Sequence, residues 1–510
     1  MRPKPQQILK AREMGVCPWC RYPTEGLTGE FCPECGNHLL SGLGPPDPGN
    51  RKRGRVGMLL ALVLIVLVAV VQQTGGSGLA KGGGPGGAGG TGGEALPPDA
   101  QFEIMAKIFT RFQKMTGDKG LADQAVETLE QMASGEADRV RAAVLAGELK
   151  GVEAGRERLA RVEKVLPEGS VLRGDIETVR GVYDGAAVEP GAVAGLKKRH
   201  GYFGELAASY GLPDTAPERA RLIGGGMGLL ILTVLVGAAV FLSFVAGVVV
   251  LVMAVVGVSS GKVRPAFVPP APGGSLAIEV VALFAGGFLL LKGVLAVAEG
   301  VLAPGQVMWL ALVAQWGLLA VFLWPRFVGA RGGMRLLGWY RGEGVLKEVG
   351  CGVLGYLACV PLFLFGAAVS MVLTVIEAAV RQWMTGVKPP PPQNPLMEIV
   401  SGKMGPLMIV MVYLLASLWA PVVEETVFRG GMYRHLRSKW NVVVAAVFTA
   451  LCFGVMHAYP LLMMGPVIAL GFGFALLREW RGSLIASMTA HCVHNAVVLG
   501  LLLFAMRLLG

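Results

Sequence analysis

Apolar positions follow two rhythms along this chain. From Leu222 to the end they form unbroken runs, whereas between residues 101 and 218 they recur every three or four positions. A run of about twenty apolar residues matches the hydrocarbon thickness of a bilayer. Membrane spans are therefore predicted near 222–257, 275–298, 307–324, 351–376, 405–424, 441–458, 461–477 and 483–506. The first run is overlong; one tilted helix projecting past the bilayer is the preferred reading, with two short spans as the alternative. In the 101–218 segment, positions 121, 122, 125, 126, 129 and 132 make one helical stripe, and Leu159, Val162 and Leu166 repeat the spacing. Gly147, Gly151, Gly169 and Pro213 are expected as breaks. A helical soluble domain of short helices follows, without a strict repeat and without a legible function.

The start of the chain adds a separate apolar stretch, Val56 to Val71, behind Arg51-Lys52-Arg53-Gly54-Arg55. Its length is about 24 Å as a helix, and residues 51–74 are read as a single membrane anchor helix. The basic cluster in front of it predicts a cytoplasmic N-terminus. No signal peptide is expected, because the first apolar run begins only near Val56. Residues 75–98 are Gly-rich and read as a flexible tether. Residues 222–510 are the multi-span membrane domain. The whole is an all-α polytopic membrane protein with two soluble attachments, expected in a bacterial inner (cytoplasmic) membrane.

Composition supports that division. Only 16% of residues are charged and 53% are hydrophobic, against about 25% charged in an average soluble domain. The net charge of +11 does not make a nucleic-acid footprint, because the basic residues lie mainly in short loops beside apolar runs. With one span at 222–257, thirteen Lys and Arg residues fall in loops 259–274, 325–350, 425–440 and 478–482, among them Lys262, Arg335, Arg437 and Arg481. The opposite loops hold Arg381, Lys388 and Lys403. That asymmetry supports the single span and puts the richer loops inside.

Within residues 1–50, Cys17-Pro-Trp-Cys20 and Cys32-Pro-Glu-Cys35 form two CxxC knuckles. Each presents two thiolates to one tetrahedral ion, and Gly36 permits the tight turn such knuckles use. Structural zinc held by these four cysteines is expected, since a redox CxxC needs a βαβ context missing here. The segment resembles the short zinc ribbons at the N-termini of many bacterial membrane proteins, modules that imply a protein partner or a folding role. Cys351, Cys359, Cys452 and Cys492 are read as small buried hydrophobes.

The candidate chemistry lies in the last spans, where an ionisable group is costly and invites a functional reading. Glu424-Glu425-Thr-Val-Phe-Arg429 closes one span, Phe453-Gly-Val-Met-His457 lies on the next, and His491-Cys-Val-His494-Asn495 on the last. Trp440-Asn441 is the polar turn of a hairpin in which Glu424 and His457 are each 16 residues, roughly 24 Å, from the turn. They therefore reach the same depth, and 425–439 continues the helix. His491 and Asn495 are i and i+4 and share a face, as do Glu425 and Arg429.

EExxxR, FxxxH and HxxxN in this order, over about 400–505, resemble the CPBP family of intramembrane proteases, which comprises type II CAAX prenyl endopeptidases and the bacteriocin-processing or abortive-infection proteins. The resemblance implies an intramembrane endopeptidase acting on a membrane-associated peptide or protein. In it Glu424 is the general base, His457 shares the activation of water, and His491 and Asn495 stabilise the oxyanion. Glu425 and Arg429 hold the site together, and His494 has no assigned role. Glu424, His457 and His491 also make a plausible catalytic zinc set, and metal-dependent and metal-free mechanisms both stay open. The rival reading is an inactive membrane scaffold or sensor with a partner-binding ribbon. Glu279 and Lys292, thirteen residues apart on one span, are expected to snorkel or to make structural contacts.

Overall fold

The computed structural model describes residues 5–75 except Thr28, Gly36, His38, Leu40, Ser41 and Gly42, then residues 100–318, 333–386, 389 and 405–509. Gly36, nearly all of the predicted tether, the end of the predicted 307–324 span and the loop charges Arg326, Arg331, Lys388 and Lys403 lie outside these residues. Among the described residues the protein is all-α, with nineteen α-helices numbered in chain order and no strand. Two compact units emerge: Met1–Gly75, Val240–Thr374 and Gly405–Gly500 in one, Gly76–Ala239, Val375–Met404 and Leu501–Gly510 in the other.

The second unit holds the short helices, from α3 (Ala100–Thr116), α4 (Lys119–Met132), α5 (Glu136–Lys150) and α6 (Val152–Glu163) through α7 (Val171–Tyr183), α8 (Pro190–His200), α9 (Tyr202–Ala208) and α10 (Pro217–Ile223). The stripe read from the sequence is buried as expected, with Ala122, Ala125, Val126 and Leu129 inside α4. Phe102, Leu129, Leu145, Leu159, Val179 and Phe203 form the core around it. Gly147 is not a break. It lies within α5, where α6 crosses at Gly155, and an added methyl would run into the Tyr183 ring. Two buried carboxylates brace the unit. Glu148 receives Arg219 at 2.6 Å and Lys114 at 2.6 Å, and Asp175 receives Arg199 together with His200, the latter at 3.1 Å.

Among the described residues six helices are long and apolar enough to cross a membrane, which makes this an integral multi-pass membrane protein. They are α2 (Arg51–Gly75), α11 (Gly226–Ser259), α12 (Leu276–Glu299), α15 (Val345–Thr385), α16 (Pro406–Arg437) and α19 (Ile485–Leu509). The overlong first run is one uninterrupted helix of 34 residues, separated from α10 by Gly224 and Gly225. Helix α15 is longer than its predicted 351–376. Its polar flanks stay helical beyond the apolar window, with i,i+4 pairs Glu343–Lys347 and Glu377–Arg381 at 2.6 Å beside and within it. Three predicted spans are shorter helices of 14, 14 and 17 residues: α13 (Pro304–Gly317), α17 (Val442–Val455) and α18 (Gly465–Arg481). Pro460 and the Gly465-Pro466 start keep α17 and α18 apart, because neither sequence continues a helix.

Helix α16 departs from regular winding twice. Leu415–Trp419 and Glu425–Tyr433 are π-helical. Pro421 lies between them and has no N–H to donate to the preceding turn, so the wider winding ahead of it relieves the clash a proline makes inside a helix. Gly430 and Gly431 bring the second π segment against the backbones of Leu337 and Ala277, where an added Cβ would stand at 2.7 and 2.8 Å. Ser438 closes the helix, and the Asn441 side chain caps α17 by accepting from Val444 N at 2.9 Å. This is the hairpin expected from the sequence.

Candidate active site

The hairpin of α16 and α17 brings Glu424 and His457 to one level: Oε2 and Nε2 are 3.8 Å apart. Helix α19 adds His491, whose Nε2 is 3.9 Å from the same Glu424 oxygen. Each ring is held from behind. His457 Nδ1 is 2.8 Å from the carbonyl of Phe453, and a carbonyl only accepts, so Nδ1 carries the proton. His491 Nδ1 is 3.1 Å from Glu425 Oε1, which also accepts from Arg429 at 2.9 Å. By the same reasoning Nδ1–H donates there. Both Nε2 atoms therefore turn lone pairs toward Glu424 Oε2, itself buried and without a hydrogen-bond partner among the described residues. Three acceptors facing one another need donors between them, and one water supplies two.

Behind this group the charges are fully enclosed. Glu425 and Arg429 are 0% exposed. Arg429 donates from Nη1 to Glu425 and from Nη2 to the Gly471 carbonyl at 2.9 Å, and its guanidinium lies 4.4 Å from the centre of the Phe453 ring. The Phe474 ring stacks on His491 with centroids 5.0 Å apart. Farther along α16, Tyr433 and Arg437 both donate to Glu479 of α18, at 2.8 Å and at 2.9–3.0 Å. One face of α16 is thus tied to α18 by three polar contacts, which fixes the rotation of the helix that carries Glu424.

Asn495 lies one turn beyond His491. Its Nδ2 donates to the carbonyl of Ala416 at 2.8 Å, within the first π segment, where the widened winding turns carbonyls out of the helical ladder. One of its two N–H groups is thereby committed to α16. His494 points elsewhere, between the rings of Tyr356 and Phe363, with Nδ1 3.5 Å from the Tyr356 hydroxyl. Lys292 lies over the Phe288 ring, and Glu279 accepts from Ser275 Oγ at 2.8 Å, both local contacts. The sequence reading missed Phe474 and the Gly471 carbonyl. A stacking partner and a backbone acceptor leave no polar signature in a sequence.

The N-terminal cysteines also converge. The sulfurs of Cys17, Cys20, Cys32 and Cys35 all lie within 4.8 Å of one another, with Cys17–Cys35 at 3.7 Å and Cys20–Cys32 at 3.6 Å. A tetrahedron of sulfurs at about 2.3 Å from zinc has edges of roughly 3.8 Å, so the cluster is compatible with a metal site. Burial opposes a thiolate at Cys32, but the N–H groups of Cys35 and Glu34 outweigh it and lower that thiol to about 7. In the first knuckle the position after the second cysteine, which Gly36 occupies in the second, is Arg21 in the left-handed region at φ 67°. Among the described residues this is the only group of three or more such ligands drawn together so closely. In the other candidate set, Glu424 Oε2 stands 3.8 Å from His457 Nε2 and 3.9 Å from His491 Nε2.

Residues 406–497 match the family model for type II CAAX prenyl endopeptidase Rce1-like proteins. The chain is 27% identical over 140 residues to the uncharacterized protein YpbD of Bacillus subtilis (strain 168). That alignment covers 26% of this chain and 65% of the relative's own length. No solved structure matches. Helix α16, α17 with the turn that holds His457, α18 and the first half of α19 thus make up the Rce1-like domain matched at 406–497.

Proposed function

We propose that this protein is an intramembrane endopeptidase that hydrolyses a membrane-associated peptide or protein with a water held among Glu424, His457 and His491. The observation that carries this is the single carboxylate oxygen facing two imidazole Nε2 atoms at 3.8 and 3.9 Å, each ring fixed through Nδ1. A water there gives one hydrogen to Glu424 Oε2 and the other to an Nε2, and its oxygen lone pair points at an incoming carbonyl. Glu424 takes the first proton as the C–O bond forms and returns it to the departing amine as the C–N bond breaks. The remaining N–H of Asn495 stabilises the oxyanion, and the Nε2 that holds the water's second hydrogen takes that proton as the intermediate collapses to a carboxylate, then releases it to solvent.

No step is routed through a metal. The four cysteine sulfurs lie within 4.8 Å of one another, close to the edges of a tetrahedral zinc site. The tetrad is therefore the zinc-binding ribbon, with a structural role and a protein partner. The basic start of α2 faces the cytoplasm of a bacterial inner membrane by the charge rule. Residues 101–218 form the soluble helical attachment, and 400–505 the protease core.

The test is Glu424→Gln in full-length protein reconstituted in lipid and incubated with a library of membrane peptides. Cleavage by the unaltered protein and a loss of at least about 100-fold in the variant are expected, with unchanged thermal unfolding. Equal cleavage by both proteins removes the assignment. Absence of cleavage by either, across the library, favours the scaffold reading.

A further inference from the structure

We propose that α2 is part of the catalytic apparatus and that Gln72 is a positioning residue for His457. The inference rests on the reading of Glu424 and His457 as the water-activating pair.

The buried face of α2 comprises Gly54, Gly57, Ala61, Ile65, Val68 and half-buried Gln72. Steps of three and four residues put these six on one stripe, while Val56, Leu59, Val63 and Val66 on the other side are exposed. The stripe packs along α12. Its small residues permit the close approach, with Gly54 against the Gly274 carbonyl and Gly57 against Ile278. A helix that only anchors a chain in lipid needs no such face.

Both ends of the stripe finish in polar contacts to the α16–α17 hairpin. Just before α2, the carboxylate of Asp47 accepts from Arg434 Nε at 2.9 Å and Nη2 at 2.8 Å, near the end of α16. The Pro48 carbonyl accepts from the N–H groups of Ser275 and Leu276 at 3.0 and 3.1 Å, at the start of α12. At the far end, Gln72 Nε2 donates to the Met456 carbonyl at 2.9 Å, and Gln73 Nε2 donates to the Tyr459 carbonyl at 2.8 Å.

Met456 caps α17, and His457 follows it directly. Carbonyls at a helix end have no partner within the helix, and in an apolar surround they need one from elsewhere. The two glutamines supply it on either side of His457. They fix the turn that aims the Nε2 of His457 at Glu424, whereas Asp47 fixes the opposite end of the helix that bears Glu424. Helix α2 thus sets the separation of the two groups without touching the reacting atoms.

The experiment uses full-length protein in lipid and the peptide cleaved by the unaltered chain. Gln72→Met keeps the length of the side chain and removes its donor. Alone and with Gln73→Met, it is expected to lower kcat about 10- to 100-fold, the cost of a displacement near 1 Å, with KM unchanged. The limb of the pH–rate profile governed by His457 should move as well. Val66→Met, on the exposed side of the same helix, leaves kcat unchanged. Independently of activity, a short bismaleimide should bridge Gln73→Cys and Tyr459→Cys, identified by peptide mapping. Unchanged kcat and pH profile in the double variant, or no cross-link, overturns this inference while a dead Glu424→Gln leaves the protease reading standing. An active Glu424→Gln overturns the protease reading, and this inference falls with it.

Discussion

Adjacent carboxylates in α16 face opposite demands. Glu425 is fully enclosed and serves as the counter-charge of Arg429, whereas Glu424 has no cation against it and keeps an oxygen without a partner among the described residues. Replacing Glu425 by Gln leaves a buried guanidinium whose charge has nothing to balance it, which costs about 3–5 kcal/mol. The amide keeps an oxygen for the His491 Nδ1–H but shares it with Arg429 without a charge. Glu425→Gln is thus expected to lower the thermal unfolding temperature in detergent sharply, whereas Glu424→Gln leaves it within about a degree. Equal losses in the two variants would contradict this division of labour. The EExxxR spacing made the Glu425–Arg429 pair legible, because i and i+4 meet on any helix. Nothing in it revealed that Gly471 and Phe453 complete the enclosure, since a backbone carbonyl and an apolar ring carry no distinguishing letter.

Helices follow the sequence where periodicity or residue counting governs them and depart from it where packing does. The hairpin depth of Glu424 and His457 followed from equal distances to Trp440-Asn441, and the separation of 3.8 Å agrees. The stripe of α4 was equally legible. Gly147 was not, because a glycine that ends a helix and one that lets two helices cross look alike in a sequence. Its surroundings in α5 leave no room for a methyl group beside Tyr183 and Gly155. Gly147→Ala, harmless in an exposed helix, is expected to destabilise the soluble attachment by about 1–3 kcal/mol through overpacking, read as a shift in its denaturant midpoint. An unchanged midpoint would show that α5 and α6 separate freely. The π turns of α16 were invisible for a related reason: the widening answers Pro421 and the neighbours of Gly430, not a local pattern.

For the whole molecule, zinc and proteolysis are assigned to different places. Metal analysis of the purified chain should find one zinc, lost on Cys17→Ser with Cys20→Ser, while a chelator strong enough to strip it leaves the rate of peptide cleavage unchanged within about twofold. Cleavage that stops on chelation in the cysteine variant would put a metal at Glu424 instead. The docking of α2 could not be read from composition shifts, since it joins residues 384 positions apart. The π-helical stretch 425–433 has one more consequence. Removing one residue there would rewind it as ordinary helix and swing Glu424 by about 100° relative to Tyr433 and Arg437, which Glu479 holds. The number of amino acids between Glu424 and its moorings, as much as their identity, decides which way the carboxylate looks.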